Sequence, residues 1–216
     1  MLPDPRDLSG QLAALETDVR LVFFTQTFGC DACVPARQAV DEIARLSERV
    51  TVDEYNLVLD KEEVARYGVD RAPATAVVGA SDLGLRYYGV PSGYELASLV
   101  DAVVLASGAG PADGLAPESL AAIAALDRHV DIKVFVTPTC RFCPQTAILA
   151  YRLAAASSHI TTSVIEATEF PDLVQRYRVS GVPKTIVDDR IEIMGTQPEE
   201  VFVREALQAG PSGPPA

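Results

Sequence analysis

The sequence predicts an α/β fold laid down twice in tandem, and three observations predict it. All four cysteines fall into two pairs, Cys30-Asp31-Ala32-Cys33 and Cys140-Arg141-Phe142-Cys143. A proline, Pro73 or Pro183, stands 43 residues after the first cysteine of each pair, so the second set repeats the first at an offset of 110 residues. Around these marks, short β-branched and aromatic runs alternate with longer glycine-free stretches, the pattern of strands and helices in turn. The same offset aligns Thr27 with Thr137, Val64 with Val174, Arg66 with Arg176, Tyr67 with Tyr177, Val69 with Val179, Thr75 with Thr185 and Val77 with Val187, with no gap.

Taken in order, each copy reads β-α-β-α-β-β-α after a leading helix, near residues 8–15 and 117–127. Residues 19–25 and 131–137 read as buried strands that lead into the cysteine pairs. The stretches 34–50 and 144–157 follow as helices, the first with Val40, Ile43, Ala44 and Leu46 on one face. Strands near 50–57 and 160–166 and short helices near 61–67 and 171–177 come next. Pro73 and Pro183 each open a strand. In the second copy a tight Asp188-Asp189 turn leads into Ile191, whereas the first has a longer connection through Leu83 to Tyr88. Helices near 92–106 and 198–209 close the copies. The Gly/Ala/Pro stretch that begins at Ser107 reads as the joint. This divides the chain into units 1–110 and 111–210, with 211–216 as a disordered tail. Phe23, Phe24, Phe135 and Tyr151 sit at core spacings.

Composition bounds the function. The 216 residues are 48% hydrophobic, enough for two cores of roughly 100 residues each. A formal net charge of −12 argues against nucleic-acid and anionic-membrane partners, which need a basic surface. The first residues show no basic stretch followed by an apolar one, and no apolar run is long enough to span a bilayer, so the expected location is cytoplasmic. There, paired cysteines are more often catalytic than structural. Each bridge would also close only a tiny loop, which removes little unfolded-state entropy.

The pairs can exchange disulfides. A thiolate is the attacking species, and a helix N-terminus lowers a cysteine pKa from about 8.5 through its dipole and free N–H groups. Cys30 and Cys140, between strand and helix, are the expected nucleophiles. Cys33 and Cys143, one turn into the helix, are expected to resolve the mixed disulfide. The cycle needs no metal and no organic cofactor. Asp31 beside Cys30 disfavours its thiolate, whereas Arg141 beside Cys140 favours it, so the second site is expected to be the more oxidising. Glu54 and Glu166, at the ends of the second strands, are candidate proton acceptors, although such positions are usually solvated. Lys184 reads as a solvated cation near the second site, and His129 and His159 as surface or packing residues.

The order strand, Cys-x-x-Cys, helix and a strand opened by Ala72-Pro73-Ala74-Thr75 or Val182-Pro183-Lys184-Thr185 resembles the thioredoxin/glutaredoxin fold. Two such units in one chain resemble the protein disulfide oxidoreductases, glutaredoxin-like proteins of heat-loving prokaryotes. The stretches that carry the likeness best begin at Thr137 and at Tyr177, and Tyr88 to Tyr94 is similar to the family's first unit. The resemblance implies a central mixed sheet flanked by helices in each unit, and cis peptide bonds before Pro73 and Pro183, which would face the disulfides and the substrate. It implies protein disulfide or dithiol substrates and redox-active disulfides as the only reactive groups.

This sequence departs from the family in places. Arg141 and Phe142 replace the usual proline and tyrosine. Phe24 and Val134 stand where thioredoxins bury an acid, and Gly195 alone replaces the Gly-Gly that glutaredoxins use for glutathione. The expected activity is protein thiol-disulfide oxidoreduction. An alternative is an electron shuttle from a separate thioredoxin-reductase-like flavoenzyme to a peroxiredoxin, because some peroxide-reducing flavoproteins carry a similar doubled domain. A binding scaffold with one vestigial site is the non-enzymatic reading. A zinc site is disfavoured, since zinc ribbons place their pairs about 15–20 residues apart.

Overall fold

A computed structural model describes residues 5–109 and 114–207; the proposed tail and part of the proposed joint lie outside them. The elements in chain order are α1 (Pro5–Ala13), β1 (Val19–Thr25), α2 (Cys33–Arg45), β2 (Val50–Asn56), α3 (Lys61–Tyr67), β3 (Ala74–Val78), β4 (Asp82–Tyr88) and α4 (Glu95–Ala106). The second half continues with α5 (Pro117–Ala124), β5 (Val130–Val136), α6 (Cys143–Ala156), β6 (Ile160–Glu166), α7 (Pro171–Arg176), β7 (Lys184–Val187), β8 (Ile191–Met194) and α8 (Glu199–Leu207).

The strands form one eight-stranded mixed sheet in the order β2-β1-β3-β4-β6-β5-β7-β8. Within each half the first strand pairs in parallel with the second and antiparallel with the third. The halves join through a parallel ladder between β4 and β6, from Leu85 opposite Thr162 to Tyr88 opposite Ile165. Helices α4 and α6 pack together across the same seam. Side-chain alternation sends Leu21 and Phe23 of β1 to one core and Val22 and Phe24 to the other. The larger core lies under the helices that include α1, α2, α4 and α6, and Tyr151 is buried there. The smaller one, with Phe135, lies under α3 and α7.

The structure corrects some boundaries. The helix expected over 34–50 is α2, which ends at Arg45, because Val50 is taken into β2 opposite Val19. The helix expected from 92 starts at Glu95, because Gly93 has a φ of +61° and lies outside the helical region. The Asp188-Asp189 turn is left-handed at both residues, with φ of 52° and 57°, and Arg190 N–H closes it onto Val187 O at 3.0 Å. This is the primed turn that suits a hairpin.

Candidate active sites

Strands β1, β2, β4, β5 and β6 all run the same way, so both cysteine pairs lie beyond the same end of the strands. Each pair is a disulfide, Cys30–Cys33 and Cys140–Cys143, with Cα atoms 5.4 and 5.5 Å apart. The first cysteine of each pair is half-buried, while Cys33 is 4% and Cys143 0% exposed. An incoming sulfur therefore reaches Cys30 or Cys140 first. The second cysteine opens its helix rather than lying a turn inside it; its N–H donates to the carbonyl of the first cysteine at 3.2 and 3.3 Å. No side chain caps either helix start, which leaves N–H groups of the first turn available to a thiolate.

The peptide bonds Ala72–Pro73 and Val182–Pro183 are cis, and both prolines are buried. The Pro73 and Pro183 carbonyls accept from Gly89 and Gly195 N–H at 3.0 and 2.9 Å, which ties each proline loop to the end of β4 or β8. The Cys140 sulfur lies 3.8 Å from the carbonyl oxygen of Val182, which places the second proline loop against its disulfide.

The other residues named from the sequence divide. Asp31 is exposed, and Arg141 is also exposed, with its guanidinium 4.6 Å from the centre of the Phe142 ring. Glu54 faces solvent and pairs with Arg37 of α2. Glu166 is not solvated. It is 1% exposed, and its carboxylate accepts from Thr168 N–H, Thr168 Oγ1 and Glu169 N–H at 3.2, 2.6 and 3.1 Å. Nor is Lys184 a solvated cation. It is buried, donates to the carbonyls of Tyr177 and Arg178 at 2.7 and 3.2 Å, and pairs with Glu192 at 2.9 Å. The first copy meets the corresponding need from another strand: Arg86 donates to the Tyr67 carbonyl at 2.8 Å and pairs with Asp82 at 2.6 Å. His129 and His159 are exposed.

Sequence reasoning missed a buried carboxyl at the seam between the halves. Glu95 is the first residue of α4, which packs on α6, the helix that Cys143 opens. The preceding residue, Tyr94, donates its N–H to the Pro138 carbonyl at 3.0 Å, two positions before Cys140. Glu95 is 0% exposed, and neither of its carboxyl oxygens has a well-formed hydrogen bond. Burial pushes its pKa up to about 7; the Ser98 hydroxyl opposes the shift and the Glu166 charge adds to it. Glu169 is also raised, first by burial, and accepts Val90 N–H at 3.1 Å. Glu95 thus lies where the last helix of the first half packs against the second half, beside Tyr151 of α6. Among the described residues, no group of three or more His, Cys, Asp or Glu side chains is placed to hold a metal ion.

This fold and these sites define a class, the doubled thioredoxin-fold proteins with a Cys-x-x-Cys disulfide in each half. Residues 130–208 match the family model described as thioredoxin domain, and the chain is a thioredoxin-fold protein. The alkylhydroperoxide reductase AhpF of Enterococcus faecalis superposes with a TM-score of 0.86 at 26% identity, covering 93% of this chain and 96% of that one. A protein disulfide oxidoreductase from Aeropyrum pernix superposes with a TM-score of 0.85 at 25% identity, covering 94% and 90%. Among curated relatives, a protein named NADH dehydrogenase from Ferdinandcohnia aciditolerans is 25% identical over 82% of this chain and 31% of its own length. An alkyl hydroperoxide reductase chain of Staphylococcus epidermidis is 24% identical over 85% and 33%. The chain therefore spans about a third of the length of these curated relatives.

Proposed function

We propose that the protein is a thiol-disulfide oxidoreductase that reduces, oxidises or isomerises disulfides of other proteins through Cys30/Cys33 and Cys140/Cys143. The observation that carries this reading is the repeated arrangement itself: a half-buried cysteine bonded to a buried one at an uncapped helix start, in each half. The working units are the two halves, divided near residue 110. Their sites need no cofactor beyond the disulfides.

In the reducing direction at the second site, the Cys140 thiolate attacks one sulfur of a substrate disulfide. That S–S bond breaks, and the departing thiolate takes a proton from solvent. Cys143 gives up its proton, attacks the Cys140 sulfur and expels the second substrate thiolate, which takes that proton. The substrate gains two electrons and two protons, and Cys140–Cys143 is again a disulfide. Pro73 and Pro183 line the substrate approach. Glu54 and Glu166 are left out of the proton path, the first because it is paired in solvent and the second because its oxygens are occupied by turn donors.

The relatives named for NADH oxidation and hydroperoxide reduction favour a second, narrower role. In it the chain carries electrons from a thioredoxin-reductase-like flavoenzyme to a peroxiredoxin, by the same exchange chemistry. A cytoplasmic setting would keep the pairs cycling; no helix among the described residues is long and apolar enough to cross a membrane. Reduction of insulin by dithiothreitol tests the main reading. The wild type is expected to accelerate it, Cys30→Ser/Cys33→Ser and Cys140→Ser/Cys143→Ser each to retain part of the rate, and the fourfold variant none. Equal rates in all four proteins would leave only the scaffold reading.

A further inference from the structure

The seam between the halves leaves a cavity of about 180 Å³ on the face of the sheet that carries α3 and α7. Helix α3 covers this face in the first half and α7 in the second, and the joining strands β4 and β6 lie between them. Ser163 of β6 is the floor. It stands in register opposite Arg86 of β4 on one side and Lys133 of β5 on the other, so one short side chain between two long ones makes a pit. Arg71, from the loop before β3, and Tyr88, at the end of β4, wall it from the first half. Among the described residues, no cysteine lines it.

More donors converge here than the protein itself uses. Arg71 donates Nε and Nη2 to Asp70 at 3.2 and 3.1 Å and Nη1 to Asp172 at 2.8 Å, which takes three of its five N–H groups. Lys133 pairs with Asp131 and, at 2.8 Å, with Asp189, which leaves one of its three N–H groups. The Ser163 and Tyr88 hydroxyls have no hydrogen-bond partner among the described residues. Burial keeps the Tyr88 phenol protonated far above neutral pH, so it is a donor. Burial opposes the charge on Lys133, but Asp131 and Asp189 hold it. This set of donors suits an oxyanion.

A bare anion does not suit the rest of the site. The cations Arg71, Lys133 and Arg176 face the carboxylates of Asp70, Asp131, Asp172 and Asp189, in a chain of net charge −12. Arg71 and Lys133 are the more enclosed, with side chains 23% and 20% exposed, against 67% and 47% for Asp70 and Asp189. The cavity is therefore rich in donors within and acidic at its mouth. Ile165 and Leu173 add an apolar wall.

We propose that the seam cavity binds a free α-amino acid: its carboxylate at Ser163, Tyr88 and Lys133, its ammonium at the acids of the mouth, and a small apolar side chain against Leu173. The volume would hold roughly six waters, which suits such a ligand and is below the range of about 300–1,000 Å³ for drug-sized ones. The inference goes beyond the exchange chemistry and does not rest on it.

Titration of the isotope-labelled full chain with L-valine, followed by amide chemical shifts, tests the site. Isovalerate, which lacks the ammonium, and isobutylamine, which lacks the carboxylate, are titrated in parallel. Saturable shifts centred on Ser163 and Lys133 are expected with L-valine, and each fragment is expected to bind at least about tenfold more weakly. Tyr88→Phe removes one donor and Ser163→Val fills the floor, so each should weaken L-valine about tenfold. If Ser163→Val does not fold, Tyr88→Phe decides alone. Absence of saturable shifts at the seam, or unchanged affinity in the folded variants, overturns the site. Isovalerate or isobutylamine binding as tightly as L-valine overturns the amino acid as its ligand.

Discussion

Glu95 carries the sharpest consequences of single-residue chemistry. Its carboxyl is buried without well-formed partners and titrates near pH 7 instead of the usual 4.5. Between these values the folded chain holds a proton that the unfolded chain has released. Stability therefore falls as pH rises through the window, by roughly 3 kcal/mol in total above pH 7. Glu95→Gln is expected to melt at higher temperature than wild type at pH 8 and at nearly the same temperature at pH 5, which calorimetry checks. Arg141 lies in solvent, where salt screens its effect on Cys140. Glu95 was hard to see in the sequence, because an acid in a first helical turn reads as a solvated partner of the helix dipole. Lys184 was misjudged for a related reason: a lysine beside a strand start looks solvated unless the carbonyls of Tyr177 and Arg178 are known to meet it. Lys184→Ala should cost about 2–3 kcal/mol in urea unfolding by orphaning those groups.

Among the elements, the loop between β4 and α4 does work that its counterpart does not. Gly93 has a φ of +61° and lies against the Pro138 carbonyl, where a β-carbon would overlap that oxygen. Gly93→Ala is expected to destabilise the chain by about 2 kcal/mol and to perturb thiol alkylation at Cys140 more than at Cys30. The counterpart loop ends instead in Glu199, which accepts the N–H of Ala116 at 2.7 Å. Strands and helices that repeat were legible because their periodicity is local: β1, β2, α3 and β6 lie where alternation and apolar spacing put them. The end of α2 was not, because residues 46–49 keep helical composition and only the pairing of Val50 with Val19 draws the chain away. The Cys-x-x-Cys pairs were fully legible. The buried acid Glu95 was not, since it obeys no spacing within the repeat.

For the whole molecule, the decisive fact is the β4–β6 ladder, which makes one sheet of two copies. A parallel pairing between edge strands of successive repeats leaves no mark in a single sequence, so the second site's dependence on the first half was hidden with it. The ladder also separates the sites. Strands β1 and β5 are four positions apart, on the order of 19 Å at the usual strand spacing, too far for one disulfide to attack the other. The two pairs should therefore turn over independently, and the insulin-reduction rates of the two double variants are expected to sum to that of the wild type. The claim on which all of this depends is that Cys30 and Cys140 are both nucleophiles toward protein disulfides. It is tested most directly by mixing reduced Cys33→Ser and Cys143→Ser variants, each with its other pair changed to serine, with insulin and mapping the trapped adducts by mass spectrometry. The account predicts mixed disulfides through Cys30 in the first variant and Cys140 in the second; failure of either cysteine to form an adduct would contradict it.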